Sequence, residues 1–292
     1  MESVGIASSS MLVELNISCW TGRKLDKKVS EEIDVSKNTK VRGGNYHKHL
    51  LAGNVHLDAV NKYAANTRLW NTKNTISWSD SGGRIVTMEH LFTGGYKQEL
   101  DVRKAKFDEL TNTFVNIYPT LISASAFQLG DLFDRNDYPE PDEIARKFKF
   151  EYTISPLPTS GDFRIDVHEQ AKAELVAQLS EQYEKHFQDR MGSAMREVWD
   201  RLYDCLKHMS ERLGSNEDGT RKGFHSTLVT NASELVRLLT TLNVTNDPKL
   251  EQARRDLHAI ISNTDIETLK ESDYVRETVK KKVDSIISKY EW

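Results

Sequence analysis

Proline and glycine are scarce, six and fifteen in a chain of 292 residues. That scarcity excludes a turn-rich, many-stranded sandwich and leaves room for long uninterrupted helices. Cysteine is scarcer still: Cys19 and Cys205 stand far apart without CxxC or CxxH spacing, so neither a disulfide framework nor a zinc knuckle is indicated. No apolar run approaches about 18 residues, and MESVGIASSS has neither the basic n-region nor the apolar core of a signal peptide. The expected location is therefore a reducing cytoplasm, with no membrane partner. Charge of one sign is also in short supply. Forty Lys and Arg against 44 Asp and Glu give a net charge of −4 and a pI near 6.2, which argues against a protein that coats nucleic acid over its whole surface but allows a local basic patch.

What is present is charge on long periodic segments. Charged residues make up 29% and hydrophobic residues 38%, with a mean hydropathy of −0.59, the surface-rich balance of elongated helices. At 33.4 kDa the chain is long enough for one elongated domain or two compact ones. Residues 11–20, MLVELNISCW, alternate with period two and predict the first strand. A second strand is predicted over 148–155 and a third over DFRID at 162–166. The segment after Thr21 predicts a short helix around Leu25, Val29 and Ile33 that loosens into a loop at Gly43-Gly44, and 55–70 predicts a further helix. Residues 93–129 carry Phe107, Leu110, Phe114, Ile117 and Leu121 at heptad spacing, with a kink or break expected at Pro119.

The strongest pattern runs from Leu179 through Tyr183, Phe187, Met191, Met195, Val198, Leu202, Cys205 and Met209 to Leu213, stepping by three or four. A helix over the whole periodic segment, Val167 to Leu213, is roughly 70 Å long and needs another long helix to cover its stripe. Residues 93–129 are the expected partner within the chain. Phe187, Met191, Met195, Val198 and Leu202 are the expected helix-packing or oligomer contacts, since heptad faces pair between chains as readily as within one. Three helices are expected after the polar turn at 214–223, near 224–243, 247–262 and 266–290. The fold class expected is α+β, mostly α: a small antiparallel sheet, long antiparallel coiled-coil-like helices and a C-terminal helical region. The divisions expected are 1–166, 167–223 packed with 93–129, and 224–292.

Candidate chemistry is sparse. TISWSDSGGRIVTM at 75–88 places Gly82-Gly83 before Arg84, which could hold a phosphate, but no GxGxxG or GxxxxGK[ST] is present and Asp-Ser-Gly-Gly has the chemistry of a tight turn. Thr21 to Lys73 carries eleven Lys and Arg against five Asp and Glu. Trp20, Arg23, Lys24, Lys40, Arg42, Lys48, Trp70 and Arg84 are the candidate contacts for single-stranded nucleic acid or a protein partner, amines meeting phosphate and rings stacking on bases. A solvated helix face with a loop accounts for the same residues. His47 and His49 lack a supporting third ligand. Asp131, Asp134 and Asp137 recur every third residue without the order of a calcium loop, and read as helix-end caps before they read as a hydrolase or nuclease cluster. GxSxG, HExxH and Ser-x-x-Lys are missing, and Cys19 falls on the apolar face of a strand. No catalytic residue, metal or cofactor is expected.

Four segments in order, CWTGRKLDKKVSEEI at 19–33, ISWSDSGGRIVTM at 76–88, YPEPDEIARKF at 138–148 and SPLPTSGDFRID at 155–166, resemble a family of helical phage and mobile-element proteins. Members are encoded near MoxR-type AAA+ ATPases and cobaltochelatase-like von Willebrand proteins. The resemblance covers roughly 11–215. It implies a viral or mobile-element origin, hence the host cytoplasm, a AAA+ ATPase or host protein as partner, and structural roles for Trp20, Trp78, Gly82, Arg84, Pro158, Asp162 and Arg164. It implies no activity. The leading expectation is a non-enzymatic interaction or assembly protein that associates with itself and works beside a AAA+ ATPase or inhibits a host factor. The alternative is a nucleic-acid-binding accessory of phage replication or recombination.

Overall fold

Period-two alternation at the start of the chain becomes β1 (Ser10–Ser18), whose Val13 and Ile17 point inward. The computed structural model describes residues 2–80, 82–158, 169–290 and 292. The expected third strand at 162–166, with Asp162 and Arg164, lies outside the described residues. Before β1 comes α1 (Glu2–Ser9), and after it β2 (Arg23–Asp26), α2 (Lys27–Ser36), β3 (Tyr46–His49) and α3 (Val55–Asn74). The hairpin β4 (Ile76–Ser77) and β5 (Arg84–Thr87) leads through α4 (Met88–Phe92) to α5 (Tyr96–Leu129). Then follow α6 (Pro141–Lys147), β6 (Lys149–Pro156) and α7 (Glu169–Leu213). The chain closes with α8 (Thr227–Leu242), α9 (Pro248–Ser262), α10 (Ile266–Glu271) and α11 (Asp273–Lys289). The fold is α+β and mostly α, with a four-stranded antiparallel sheet in the order β4-β5-β1-β6 and a separate ribbon of β2 with β3.

Two compact units emerge, each assembled from separated stretches: 1–14, 72–96 and 153–292 form the first, 15–71 and 97–152 the second. The three consecutive segments expected from sequence divide the chain at other places. In the first unit the stripe of α7 is the spine of the core. Phe187, Met191, Ala194, Val198, Leu202, Leu206, Met209 and Leu213 are buried, and Met195 is half-buried against them. The helix that covers much of this stripe is α11, whose Val279, Val283 and Ile286 step by four and three. They run antiparallel: Arg276 meets the end of α7 at Leu213, whereas Ser210 bonds Asp284, eleven residues on from the start of α11. Of residues 93–129, the partner expected from sequence, 97–129 belong to the second unit, where Phe107 and Phe114 are buried. Heptad spacing marks an apolar face on both helices and does not say which faces meet.

Three local expectations are corrected. Pro119 does not break α5, which is continuous from Tyr96 to Leu129; the ring lies on an exposed face, where the carbonyl it leaves without an N–H partner has access to water. Leu25 lies in a strand and not in a helix, because Asp26 caps α2 by accepting from Val29 N–H at 3.1 Å and so starts the helix one residue later. The final helix divides at Ser272, which caps α11 after the short α10. In the second unit, Trp20 packs edge-on against Tyr118 at 5.7 Å and tilted on Phe114 at 6.3 Å, and Phe148 and Phe150 of the β6 side meet Phe114 and Phe107 at 5.6 Å each.

Leu202 is fully enclosed at the middle of α7. Leu202→Ala should lower unfolding free energy by about 2–5 kcal/mol, read from the urea midpoint at unchanged slope.

Candidate functional site

The residues expected to touch nucleic acid are dispersed by the fold. Trp20 is a core residue. Trp70 is half-buried, with the Arg103 guanidinium 4.6 Å from its ring centroid, so its exposed face already has a cation on it. Lys48 is 7% exposed: its Nζ lies 2.6 Å from Asp137 and 3.5 Å from Asp26, and donates to Leu132 O at 2.8 Å. Burial pulls the Lys48 pKa down, but the bonds to Asp137 and Asp26 outweigh it and leave it raised. Lys48 is therefore an internal tie, and the loop expected around it is strand β3, paired with β2 from Arg23↔His49 to Asp26↔Tyr46. Asp137, expected to cap a helix, is its counter-charge, whereas Asp134 does cap a short turn by accepting from Asn136 N–H at 2.9 Å. Arg23, Lys24, Lys40 and Arg42 remain exposed, with Lys24 4.0 Å from Asp137. His47 and His49 lie exposed on the ribbon, and no cluster of three or more His, Cys, Asp or Glu with metal-binding geometry occurs among the described residues.

TISWSDSGGRIVTM is a hairpin, Ile76↔Ile85 and Ser77↔Arg84, closed by Gly82 at φ +97° and by the Gly83 N–H donating to Ser79 Oγ at 3.1 Å. A Cβ at Gly83 would stand 2.9 Å from that hydroxyl and 3.2 Å from Leu12, so any larger residue there would have to push the Ser79 side chain off its bond. Trp78 stacks edge-on against Phe187 at 5.1 Å. Arg84 is not turned toward a phosphate. Its Nε donates to Thr75 Oγ1 at 2.6 Å, and its Nη2 to Thr75 O at 3.1 Å and to Glu197 Oε1 at 3.2 Å. Arg201 completes the cluster: Nη2 reaches the same Glu197 oxygen at 2.5 Å and the carbonyls of Thr72 and Thr75 at 2.8 Å each, while Nη1 donates to Lys73 O at 3.1 Å. Glu197 also accepts from Ser77 N–H at 2.8 Å. Burial raises the Glu197 pKa, but that amide and the two guanidinium groups together hold it below the usual carboxylate range.

Beside this network, the first unit has an open groove of about 380 Å³ between α7 and α8, closed at one end by Thr72 and Lys73. Met209 and Leu228 are its buried floor, and Leu235 and Leu238 its half-buried side. Asp204 on α7 and Glu234 on α8 stand exposed on opposite walls. Cys205 faces the groove, and burial pushes its thiol up to about 11. A thiol so protonated at neutral pH is a small apolar surface and a poor nucleophile. The groove thus has the make-up of a binding surface, apolar below and charged at the edge. Its lining escaped the sequence reading because Asp204 and Cys205 flank the α7 stripe while Glu234, Leu235 and Leu238 belong to a helix whose contacts are long-range. The one local signal is that Leu235 and Leu238 lie beside the inward series Leu228, Ala232, Val236, Leu239 of α8 and widen its apolar face beyond what burial requires.

Phe187, Met191, Met195, Val198 and Leu202 pack within the chain, against Trp78 and the inner faces of α8 and α11. A subunit contact through them would require the core to open. Comparison with protein-family models, with curated proteins and with solved structures gives no match.

Because the folded pKa of Glu197 is depressed, its contribution to stability is present above the unfolded carboxylate value and is lost as pH falls through the lower folded one. Glu197→Gln should lower the melting temperature at pH 7, and the gap to the unmodified chain should narrow below about pH 4.5. Calorimetric melts across pH 7 to 3 check this; a gap that stays constant would show that the carboxylate charge is not what matters at this position.

Proposed function

We propose that the protein works by binding other macromolecules and not by chemistry, with the α7/α8 groove as its interaction surface. The observation that carries this reading is the pairing of an apolar, accessible groove with charged groups that are otherwise committed. Arg84 and Arg201 are both paired with Glu197, and their further bonds secure the end of α3 and β4, while in the second unit Lys48 is paired with Asp26 and Asp137. The thiol in the groove is held protonated. General acid–base or nucleophilic work needs a group poised near neutral pH and within reach of a substrate; the one imidazole lining the groove, His208, accepts from Arg212 Nε at 3.4 Å, and the floor and side of the groove are apolar. Its volume and its mixed rim suit a few aliphatic side chains of a partner segment with charge at the flanks. The resemblance to proteins encoded near MoxR-type AAA+ ATPases makes such an ATPase the first partner to test, a host factor the second.

A second reading rests on the ribbon and α2, where Arg23, Lys24, Lys40 and Arg42 stay exposed. With Trp20 and Trp70 engaged inside the unit, nucleic acid would be held through phosphate alone. Affinity would then fall steeply with salt and be indifferent to sequence.

Two outcomes are expected. Cys205 should alkylate with iodoacetamide far more slowly than free cysteine at pH 7.5, with Cys19→Ser isolating its signal, and a groove-bound partner should slow it further; rapid alkylation would place a reactive thiolate in the groove and overturn the binding reading. A purified MoxR-type ATPase should co-sediment with the protein and release it on Leu235→Lys, whereas Arg23→Glu with Arg42→Glu should leave that complex intact and abolish any salt-sensitive oligonucleotide binding.

A further inference from the structure

The second unit displays a surface that matches the groove in chemistry. Ile33, Val35 and Val41 are 45%, 77% and 77% exposed around the end of α2; Lys37, Lys40 and Arg42 follow Val35 on the loop side, and Glu31, Glu32 and Asp34 lie on the helical side. None of these cations has an ion pair among the described residues, and burial explains none of the three aliphatic side chains. The segment is also built to hold its shape. Asn38 takes a left-handed conformation at φ 53°, Thr39 N–H donates to Asp34 O at 3.0 Å and Asn38 N–H to Val35 O at 3.1 Å, the double bond pattern that closes a helix on a left-handed residue. Asp34 Oδ1 then takes Gly43 N–H at 3.0 Å, which ties the following loop back to the helix. Exposed aliphatic groups on a preorganised, cationic shoulder lose little conformational entropy on docking.

We propose that this shoulder of one copy docks in the α7/α8 groove of a second copy. The inference rests on the reading of the groove as a binding surface and names its occupant. Val35, Val41 and Ile33 would cover Leu235, Leu238 and the Met209 floor, and Lys37, Lys40 and Arg42 would meet Asp204 and Glu234. Those two carboxylates make no ion pair or side-chain hydrogen bond among the described residues; the cations lining the groove are Lys73 and Arg201, and Arg201 is already paired with Glu197. Groove against groove would set carboxylate against carboxylate, and shoulder against shoulder cation against cation. The charge pattern therefore selects the unlike pairing, a head-to-tail contact that leaves one shoulder and one groove unused in every dimer. A contact confined to these few side chains is small beside the roughly 1,200 Å² or more of stable complexes, so association should be weak, concentration-dependent and weakened by salt.

Sedimentation of the full chain over a range of concentrations, at low and moderate salt, tests this. The mass should rise above 33.4 kDa with concentration and fall back with salt. Val35→Asp with Val41→Asp, and separately Asp204→Lys with Glu234→Lys, should each weaken association at least tenfold with unchanged circular dichroism. Mixed together, these two variants should form a one-to-one dimer and nothing larger, since one keeps only a groove and the other only a shoulder. If the aspartate variant loses its fold, Lys37→Glu with Arg42→Glu makes the same test by charge alone. A chain that stays monomeric throughout, an oligomer unaffected by either pair, or a mixture that yields no dimer would overturn the proposal. A monomer that still binds the ATPase, and loses it on Asp204→Lys with Glu234→Lys, would remove self-docking while leaving the groove as a partner site.

Discussion

Glu197 receives two guanidinium groups and a strand amide, and the arrangement of the first unit follows from that convergence. Arg201, one turn further along α7, uses its remaining donors on the carbonyls of Thr72, Lys73 and Thr75, which a helix end leaves without intrahelical partners. Arg84 brings β5 to the same carboxylate, and Ser77 brings β4. The hairpin is thereby held in one register on α7, with Trp78 over Phe187 and Ile76 and Ile85 enclosed. Buried ion pairs of this kind contribute little net stability against an apolar substitute, but removing one member strands the others. Their effect is to select one arrangement among the many that an apolar stripe alone would accept.

That selection gives the groove its floor. A helix with apolar residues every third or fourth position offers a continuous face, and α11, α8 and the hairpin divide it between them. Where α8 departs from α7, Met209 and Leu228 stay covered while Leu235 and Leu238 are covered only in part. Apolar surface is thus left in a concave place between two helices, with a carboxylate on each.

Much of this was legible in the sequence, and the gaps have identifiable causes. The alternation of Val13, Leu15 and Ile17 located β1, and the regular steps from Phe187 to Leu213 located the stripe. A structural role for Trp78 and Arg84 was an implication of the resemblance, while Arg84 also stood among the candidate partner contacts; the turn chemistry around Gly82-Gly83 located the hairpin, but the carboxylate Arg84 meets lies 113 residues away. The ribbon was not: Arg23-Lys24-Leu25-Asp26 continues the four-residue spacing of Leu25, Val29 and Ile33, and only the capping geometry of Asp26 reveals that the helix begins later. Tyr46 to His49 carries no apolar alternation at all. Lys48 is the clearest limit, since a lysine between two histidines looks solvated, and its burial depends on Asp137 and Leu132, more than 80 residues away. The partner of α7 was ambiguous for a related reason. Both α5 and α11 have faces of the right period, and the choice between them is made by long-range pairing that no local pattern contains.

The end of α7 has a further consequence, for the order in which the chain can fold. Arg276 donates to the carbonyls of Leu213 at 2.9 Å, Arg212 at 2.5 Å and Gly214 at 3.5 Å, and to that of Lys222 as well. Those acceptors are synthesised 54 to 64 residues before the guanidinium that satisfies them, and Val279, Val283 and Ile286 emerge later still. At translation rates of about 5–20 residues per second, the stripe of α7 waits several seconds on the ribosome without its cover. The nascent protein thus passes through a stage in which the hairpin and then α8 can already cover part of the α7 stripe while the part that α11 covers is still open.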